Sequence, residues 1–146
     1  LEGAESPEEC ALRETWEELG IPQEKIRLLG RLDFIAHRAN FILHPVLALV
    51  EGDALGHLRL NPDEVAEVFQ VHLDHLRNEP PLEYRYDLVP RPDENFPYDL
   101  IGIPRDYRWQ IGGEDVPVYP WKGHVIWGLT GRITRHLTAL LEEAGV

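Results

Sequence analysis

Leu12, Thr15, Trp16 and Leu19 recur at i, i+3, i+4 and i+7, a spacing that predicts a helix with one face turned to a core. The signals for its two ends lie on either side. Ser6 stands at the N-cap, Pro7 at the first helical position and Glu9 three residues past the cap, the pattern of a capping box. Gly20 supplies a left-handed stop. Positions 1–4 read as the loop leading in. After a turn containing Pro22, positions 25–36 read as a partly buried strand interrupted by Gly30, and 37–40 as a polar turn. Positions 41–50 are strongly apolar, a second strand whose Pro45 marks an edge or a bulge. This strand pair is expected to pack over Leu12, Trp16 and Leu19.

Beyond a connection at 51–62, positions 65–73 read as another strand, 74–78 as a short helix or turn, and 82–89 as a further strand. A long proline-bearing stretch at 90–105 carries Phe96, Tyr98, Leu100 and Ile101, which predicts an ordered loop that packs. Positions 107–110 and 116–120 flank Gly112-Gly113, which reads as a hairpin. From Ile126, the apolar positions Leu129, Ile133, Leu137, Leu140 and Ala144 keep a helical spacing, with Gly128 and Gly131 allowing close packing on a sheet. There is no internal repeat. These elements sum to a single mixed α/β (α+β) domain over 1–146, with a central sheet between the first helix and the last.

Composition narrows the function classes. The 146 residues are enough to bury a core, and no apolar run is long enough to span a bilayer, so no membrane partner is expected. The 26 acidic residues against 14 basic ones give a formal charge of −12, with no basic stripe to follow a phosphate backbone, so no nucleic-acid partner is expected either. Cys10 is the only cysteine; it excludes an intrachain disulfide and fits a reducing cytoplasm.

The outer face of the first helix is where chemistry concentrates. Glu14, Glu17 and Glu18 share it, opposite the apolar face, with Arg13 at its flank. A solvated acidic face is the plain reading, and two local costs oppose it. Like charges at i, i+4, as in Glu14 and Glu18, destabilise a helix by roughly 0.2–0.5 kcal/mol. Anions in the last turn, as Glu17 and Glu18 are, also oppose the macrodipole, by about 0.3–1 kcal/mol each. A divalent cation removes both objections, because hard Mg²⁺ or Mn²⁺ takes oxygen ligands and leaves room for water and substrate phosphate oxygens.

Written out, the pattern is Glu5, seven residues, then Arg13-Glu14-Thr15-Trp16-Glu17-Glu18-Leu19-Gly20-Ile21. It resembles the Nudix box, G-x5-E-x7-R-E-U-x-E-E-x-G-U, where U is a bulky apolar residue. Six specified letters at ordinary residue usage meet by chance on the order of once in ten million positions. Thr15 stands at a U position, and the opening Gly would precede residue 1, so the chain reads as starting inside its own motif and lacking the strands before it. The resemblance implies an α/β/α sandwich with a mixed central sheet. It also implies a pyrophosphohydrolase acting on a small nucleotide substrate, with Glu14, Glu17 and Glu18 as ligands to Mg²⁺ or Mn²⁺. Arg13 would then hold a box carboxylate in place, and Glu5 would reach the metal cluster through water or remain a polar loop residue. A homodimer is an assembly this reading leaves open.

Such a reaction needs water made more acidic by metal and attack in line on phosphorus. In many Nudix enzymes the general base is a Glu on a later segment; Glu64 is the candidate here and Glu67 its rival, against a reading of both as surface acids. Tyr98, Tyr107, Trp109 and Trp121 offer stacking surfaces for adenine, or else pack locally. The seven histidines form no credible metal site, since His72 and His75 lack a third ligand nearby.

Three further stretches resemble the coenzyme A pyrophosphatase branch: Ala11-Leu12-Arg13-Glu14, positions 61–73, and Tyr119-Pro120-Trp121 followed by Ile126-Trp127-Gly128-Leu129-Thr130. They imply cleavage of coenzyme A or a derivative into 3′,5′-ADP and a 4′-phosphopantetheine product, with Lys122, Arg105 or Arg108 meeting the 3′-phosphate. The rival readings are another Nudix specificity (ADP-ribose or a dinucleoside polyphosphate), a Nudix-fold binding module without activity, and an inactive fragment.

Overall fold

Ser6 closes the N-terminus of the first helix in both directions: its Oγ accepts the Glu9 N–H at 3.2 Å, and its own N–H donates to Glu9 Oε2 at 2.8 Å. Two orphan donors of the first turn are thereby satisfied, and the helix, α1, runs Pro7–Leu19 to a left-handed Gly20. These bounds are the ones the capping signals predict. The computed structural model describes residues 5–145, so the leading loop expected at 1–4 lies outside the described residues. The chain divides into two compact units, Leu1–Gln70 and Val71–Val146.

In the first unit the two expected strands each break in two. Positions 25–36 give β1 (Ile26–Arg31) and β2 (Ile35–His37), and positions 41–50 give β3 (Phe41–Leu43) and β4 (Val46–Val50). β1 pairs antiparallel with β4, with the register shifting between Leu28 and Gly30, and β2 pairs antiparallel with β3. The break has a physical cause. Pro45 has no N–H to give to a ladder, so its carbonyl alone bridges the gap by accepting the Leu32 N–H at 3.0 Å. The expected polar turn is present at the tip, where Asn40 takes φ 59° and donates its N–H to the His37 carbonyl at 3.1 Å.

α1 touches β4, as expected, but its apolar face is only half covered. No residue of α1 is fully buried, and Trp16 is 44% exposed. The Arg59 guanidinium lies 5.0 Å from the Trp16 ring centroid and shields part of that ring in place of a core neighbour. The expectation that Trp16 points into a core is corrected accordingly.

Positions 65–73 are also corrected. They form no strand: 65–72 are irregular, and Leu73 already belongs to α2 (Leu73–Asn78) of the second unit. Their apolar alternation suits a strand, but no ladder partner among the described residues stabilises it, and Val68 and Phe69 stay exposed.

The second unit is built on β5 (Leu82–Leu88), β6 (Gly112–Trp121) and β7 (His124–Ile126), one antiparallel sheet in the order β5-β6-β7. Gly112 and Gly113 are not the expected hairpin turn. They open β6 and pair with Leu88 and Asp87, and 107–110 is irregular. The tight turn is Lys122-Gly123, both at positive φ (46° and 88°), the conformation that a two-residue hairpin of the right twist requires. The long proline-bearing stretch holds a short helix, α3 (Tyr98–Ile101); Phe96 and Tyr98 pack together as expected, but Leu100 and Ile101 stay exposed, which corrects the expectation for those two.

The last helix, α4 (Gly128–Glu143), packs on β6. Gly131 allows this approach, because a Cβ there would stand 2.6 Å from the Pro117 carbonyl oxygen. Gly128 serves a different end from the one expected, since it has open space around it and a left-handed φ of 62° at the helix entry. Tyr119, Pro117 and Thr138 are buried where helix and sheet meet. The mixed α/β class read from the sequence stands.

Candidate active site

Arg13 gathers most of the acidic residues that the sequence singled out. Its Nε and Nη2 take the two oxygens of Glu5 at 2.9 and 3.1 Å, a paired fork across the start of the helix. Its Nη1 meets Glu17 Oε2 at 2.8 Å, one turn along, and Glu14 Oε1 at 2.9 Å. Bonding to Glu5 above all pushes the guanidinium further above its ordinary value; burial opposes this, and Glu14 adds a lesser push in the same direction as Glu5. The side chains of Arg13 and Glu5 are mostly covered, at 28% and 15% exposure, whereas Glu14 and Glu17 present 45% and 49% to solvent. One cation thus anchors a sheltered carboxylate and holds two open ones.

The C-terminal end of α1 is occupied by a second segment. The Leu19 carbonyl accepts the Arg59 N–H at 2.9 Å, and the Glu18 carbonyl accepts the Asn61 N–H at 2.9 Å. Both carbonyls are among the last of the helix and have no partner within it, so an extended backbone can dock there. Gly20 makes room: a Cβ on it would fall 2.9 Å from the Arg59 Cβ. From Asn61 the chain turns, with Oδ1 accepting the Asp63 N–H at 3.2 Å and the backbone carbonyl accepting the Glu64 and Val65 N–H groups at 3.2 and 2.8 Å. Asn61 Nδ2 then donates to Glu64 Oε2 at 3.0 Å. Trp16, Glu17, Gly20, Arg59, Leu60 and Asn61 line an open groove of about 390 Å³ beside this junction.

The structure therefore links Glu5, Arg13, Glu14 and Glu17 directly, and ties Glu64 to the backbone of Glu18 through Asn61. Glu67 lies further along the same irregular segment. Among the described residues, no three His, Cys, Asp or Glu side chains are drawn together as a ready cation site. The chemistry of the donor set still fits a hard divalent ion: Glu14, Glu17 and Glu18 are all carboxylates of one helix, Glu17 exposed and the other two half-buried, with no soft ligand among them.

The expected substrate contacts belong to the second unit. Tyr98 and Trp109 both pack edge-on against Phe96, at 4.9 and 5.5 Å between centroids, and Tyr107 packs on Trp109 at 5.2 Å. Arg105 lies over Tyr98 at 5.5 Å. Lys122 sits in the β6–β7 turn with its Nζ 4.6 Å from the Trp121 centroid, and His75 packs at a tilt against the same indole, 4.4 Å between centroids.

Sequence reasoning missed Asn61 and Arg59. Asn-Pro-Asp at 61–63 is a turn signal that could have been read, whereas nothing in the sequence marks Arg59 as the partner of Trp16.

A capped acidic helix, an arginine bonded to two of its carboxylates and a glutamate tied to its end through Asn61 are thus brought together in the first unit. The chain matches the NUDIX domain over residues 1–91, and it belongs to the Nudix family. It is 41% identical to the uncharacterized Nudix hydrolase NudL of Pectobacterium atrosepticum, over 92% of this chain and 59% of that protein. It is 34% identical to the mitochondrial coenzyme A diphosphatase NUDT8 of Mus musculus, over 90% of this chain and 53% of that protein. A NudL of Photorhabdus laumondii is 28% identical over 87% of this chain and 56% of its own length. The chain spans about half the length of the curated relatives it matches. No helix among the described residues is long and apolar enough to cross a membrane.

Proposed function

We propose that the protein is a divalent-metal-dependent pyrophosphohydrolase that cleaves the diphosphate of a nucleotide derivative, with coenzyme A or one of its derivatives as substrate. The observation that carries this reading is Arg13 bonded at once to Glu5, Glu14 and Glu17, on the helix whose end holds Glu64 through Asn61. A surface ion-pair network has no need of a glutamate folded back onto the same helix; hydrolysis of a diphosphate does.

Glu14, Glu17 and Glu18 would hold Mg²⁺ or Mn²⁺, which when bound supplies charge neutralisation at phosphorus and a more acidic water. Arg13 keeps the carboxylates oriented and balances part of their mutual repulsion. Glu64 takes the proton of the attacking water. One P–O bond forms to that water oxygen, the bridging P–O bond breaks, and the second phosphate leaves with the electron pair. With coenzyme A the products are 3′,5′-ADP and 4′-phosphopantetheine.

The coenzyme A assignment draws support from the 34% identity to a protein named as a coenzyme A diphosphatase and from the Tyr119-Pro120-Trp121 and Ile126–Thr130 stretches. Tyr98 and Trp109 are proposed contacts to the base, and Lys122 to the 3′-phosphate. The single cysteine, Cys10, accords with a reducing compartment such as the cytoplasm.

The test is turnover of coenzyme A, ADP-ribose and a dinucleoside polyphosphate side by side, with Mg²⁺ or Mn²⁺ and again after chelation. Coenzyme A should give the highest kcat/KM, and chelation should abolish it. Glu64→Gln should lower kcat by about 10²–10⁴-fold, the usual contribution of a general base. Preference for ADP-ribose would replace the substrate assignment, and no turnover of any of the three would sink the enzyme reading.

A further inference from the structure

Every hydrogen-bonding part of Asn61 except one amide hydrogen has an identified use. Its N–H reaches the Glu18 carbonyl, its carbonyl takes Glu64 and Val65, its Oδ1 closes the turn on Asp63, and its Nδ2 meets the Glu64 carboxylate. An Asp in its place would make the same turn through Oδ1 but would have no donor for Glu64. A Ser would accept from Asp63 and fall short of the carboxylate. Among small turn-forming side chains, only asparagine both shapes this turn and donates beyond it.

We propose that Asn61 is a positioning residue: it holds the Glu64 carboxylate at the C-terminal end of α1, ready to accept a proton from the attacking water. The proposal rests on Glu64 being the general base. Glu64 is solvent-exposed, and an untethered exposed glutamate spreads over several rotamers. The Nδ2–Oε2 bond selects among them. Because the bond is exposed, it contributes little to global stability, so its loss should register in turnover and not in Tm.

The experiment uses the full chain with Mg²⁺ and coenzyme A, comparing Asn61→Asp, Asn61→Ser, Glu64→Gln and the double variant Asn61→Ser/Glu64→Gln. Both single Asn61 variants should lose about tenfold or more in kcat, as loss of a supporting hydrogen bond to a reacting group commonly does, with KM and Tm near the parent. The neutral Ser variant separates loss of the donor from the charge that Asp adds. The double variant should be no slower than Glu64→Gln alone, because a tether has no effect once its carboxylate is gone. In metal-free protein, hydrogen exchange of the Asn61 side-chain amide should quicken in Glu64→Ala, which leaves Nδ2 no acceptor at that position.

Parental kcat in both Asn61 variants, or losses that simply multiply in the double variant, would overturn the proposal while leaving Glu64 as base. Parental kcat in Glu64→Gln would overturn the assignment of the base and the tether with it. If Asn61→Asp unfolds, the Ser variant and the amide exchange decide alone.

Discussion

Arg13 and Glu5 are joined by two parallel bonds, Nε to Oε1 at 2.9 Å and Nη2 to Oε2 at 3.1 Å, across eight residues of sequence. Lysine cannot reproduce that fork. Arg13→Lys should therefore lose the hold on Glu5 before it loses charge. We expect kcat/KM to fall by about 10–100-fold with the helix signal in circular dichroism intact, as for other supports of ligand carboxylates. Parental activity in Arg13→Lys would reduce the network to a surface ion pair.

Acid should loosen the start of α1 first. The Ser6 N–H above all holds the Glu9 carboxyl below its ordinary value of 4.5, and the Arg31 guanidinium does the same for Glu8. Groups whose folded value is depressed contribute stability above the unfolded value, and that stability is lost as pH falls through the folded one. Tm should hold steady from neutrality down to about 4.5 and decline below it. Glu9→Gln should flatten that decline and lower Tm at neutral pH; a Tm–pH curve identical to the parent would contradict this account.

Gly128 and Gly131 should resist substitution for different reasons, the first by its backbone and the second by its neighbours. No atom lies within 4 Å of a Cβ at position 128, but its left-handed φ strains any side chain, asparagine least, so Gly128→Asn should lower Tm slightly and Gly128→Val much more. Gly131→Ser sets a Cβ against the Pro117 carbonyl at 2.6 Å, and overpacking of that kind costs about 1–3 kcal/mol. Thermal or urea unfolding of these variants is the measurement.

Tyr119 is 2% exposed, and its hydroxyl finds no partner of hydrogen-bond geometry among the described residues. Burial pushes the phenol above its ordinary value. Thr138 Oγ1, whose hydrogen goes to the Arg135 carbonyl at 3.0 Å, lies close enough to moderate that rise. Removing an unpaired buried hydroxyl relieves its desolvation cost, so Tyr119→Phe should hold or raise Tm. A loss of more than about 1 kcal/mol would mean that the hydroxyl has a partner.

What the sequence disclosed well was local. Ser6, Glu9 and Gly20 delimit α1 because capping depends on residues three or four apart, and Pro45 marks a break because a missing N–H acts where it stands. Several readings that depended on a partner failed. The alternation at 65–73 belongs to no strand because a strand needs a neighbour, which periodicity cannot provide. Gly112-Gly113 carries a turn signal, yet it is satisfied opposite Asp87 and Leu88, and the turn falls on Lys122-Gly123. Trp16 has the spacing of a core residue and is shielded instead by Arg59, forty-three positions away. The acidic face and Arg13 were legible in the candidate site; Asn61 was not, because its meaning depends on which helix end its turn meets.

The last glycine of the box is usually thought of as a stop. With 2.9 Å between a hypothetical methyl there and the Arg59 side chain, it also works as a spacer of zero width. One carbon added at position 20 would push outward the strip of backbone that leads to Glu64, so the distance between that residue and the acidic side of the helix is set by an atom the protein does not possess.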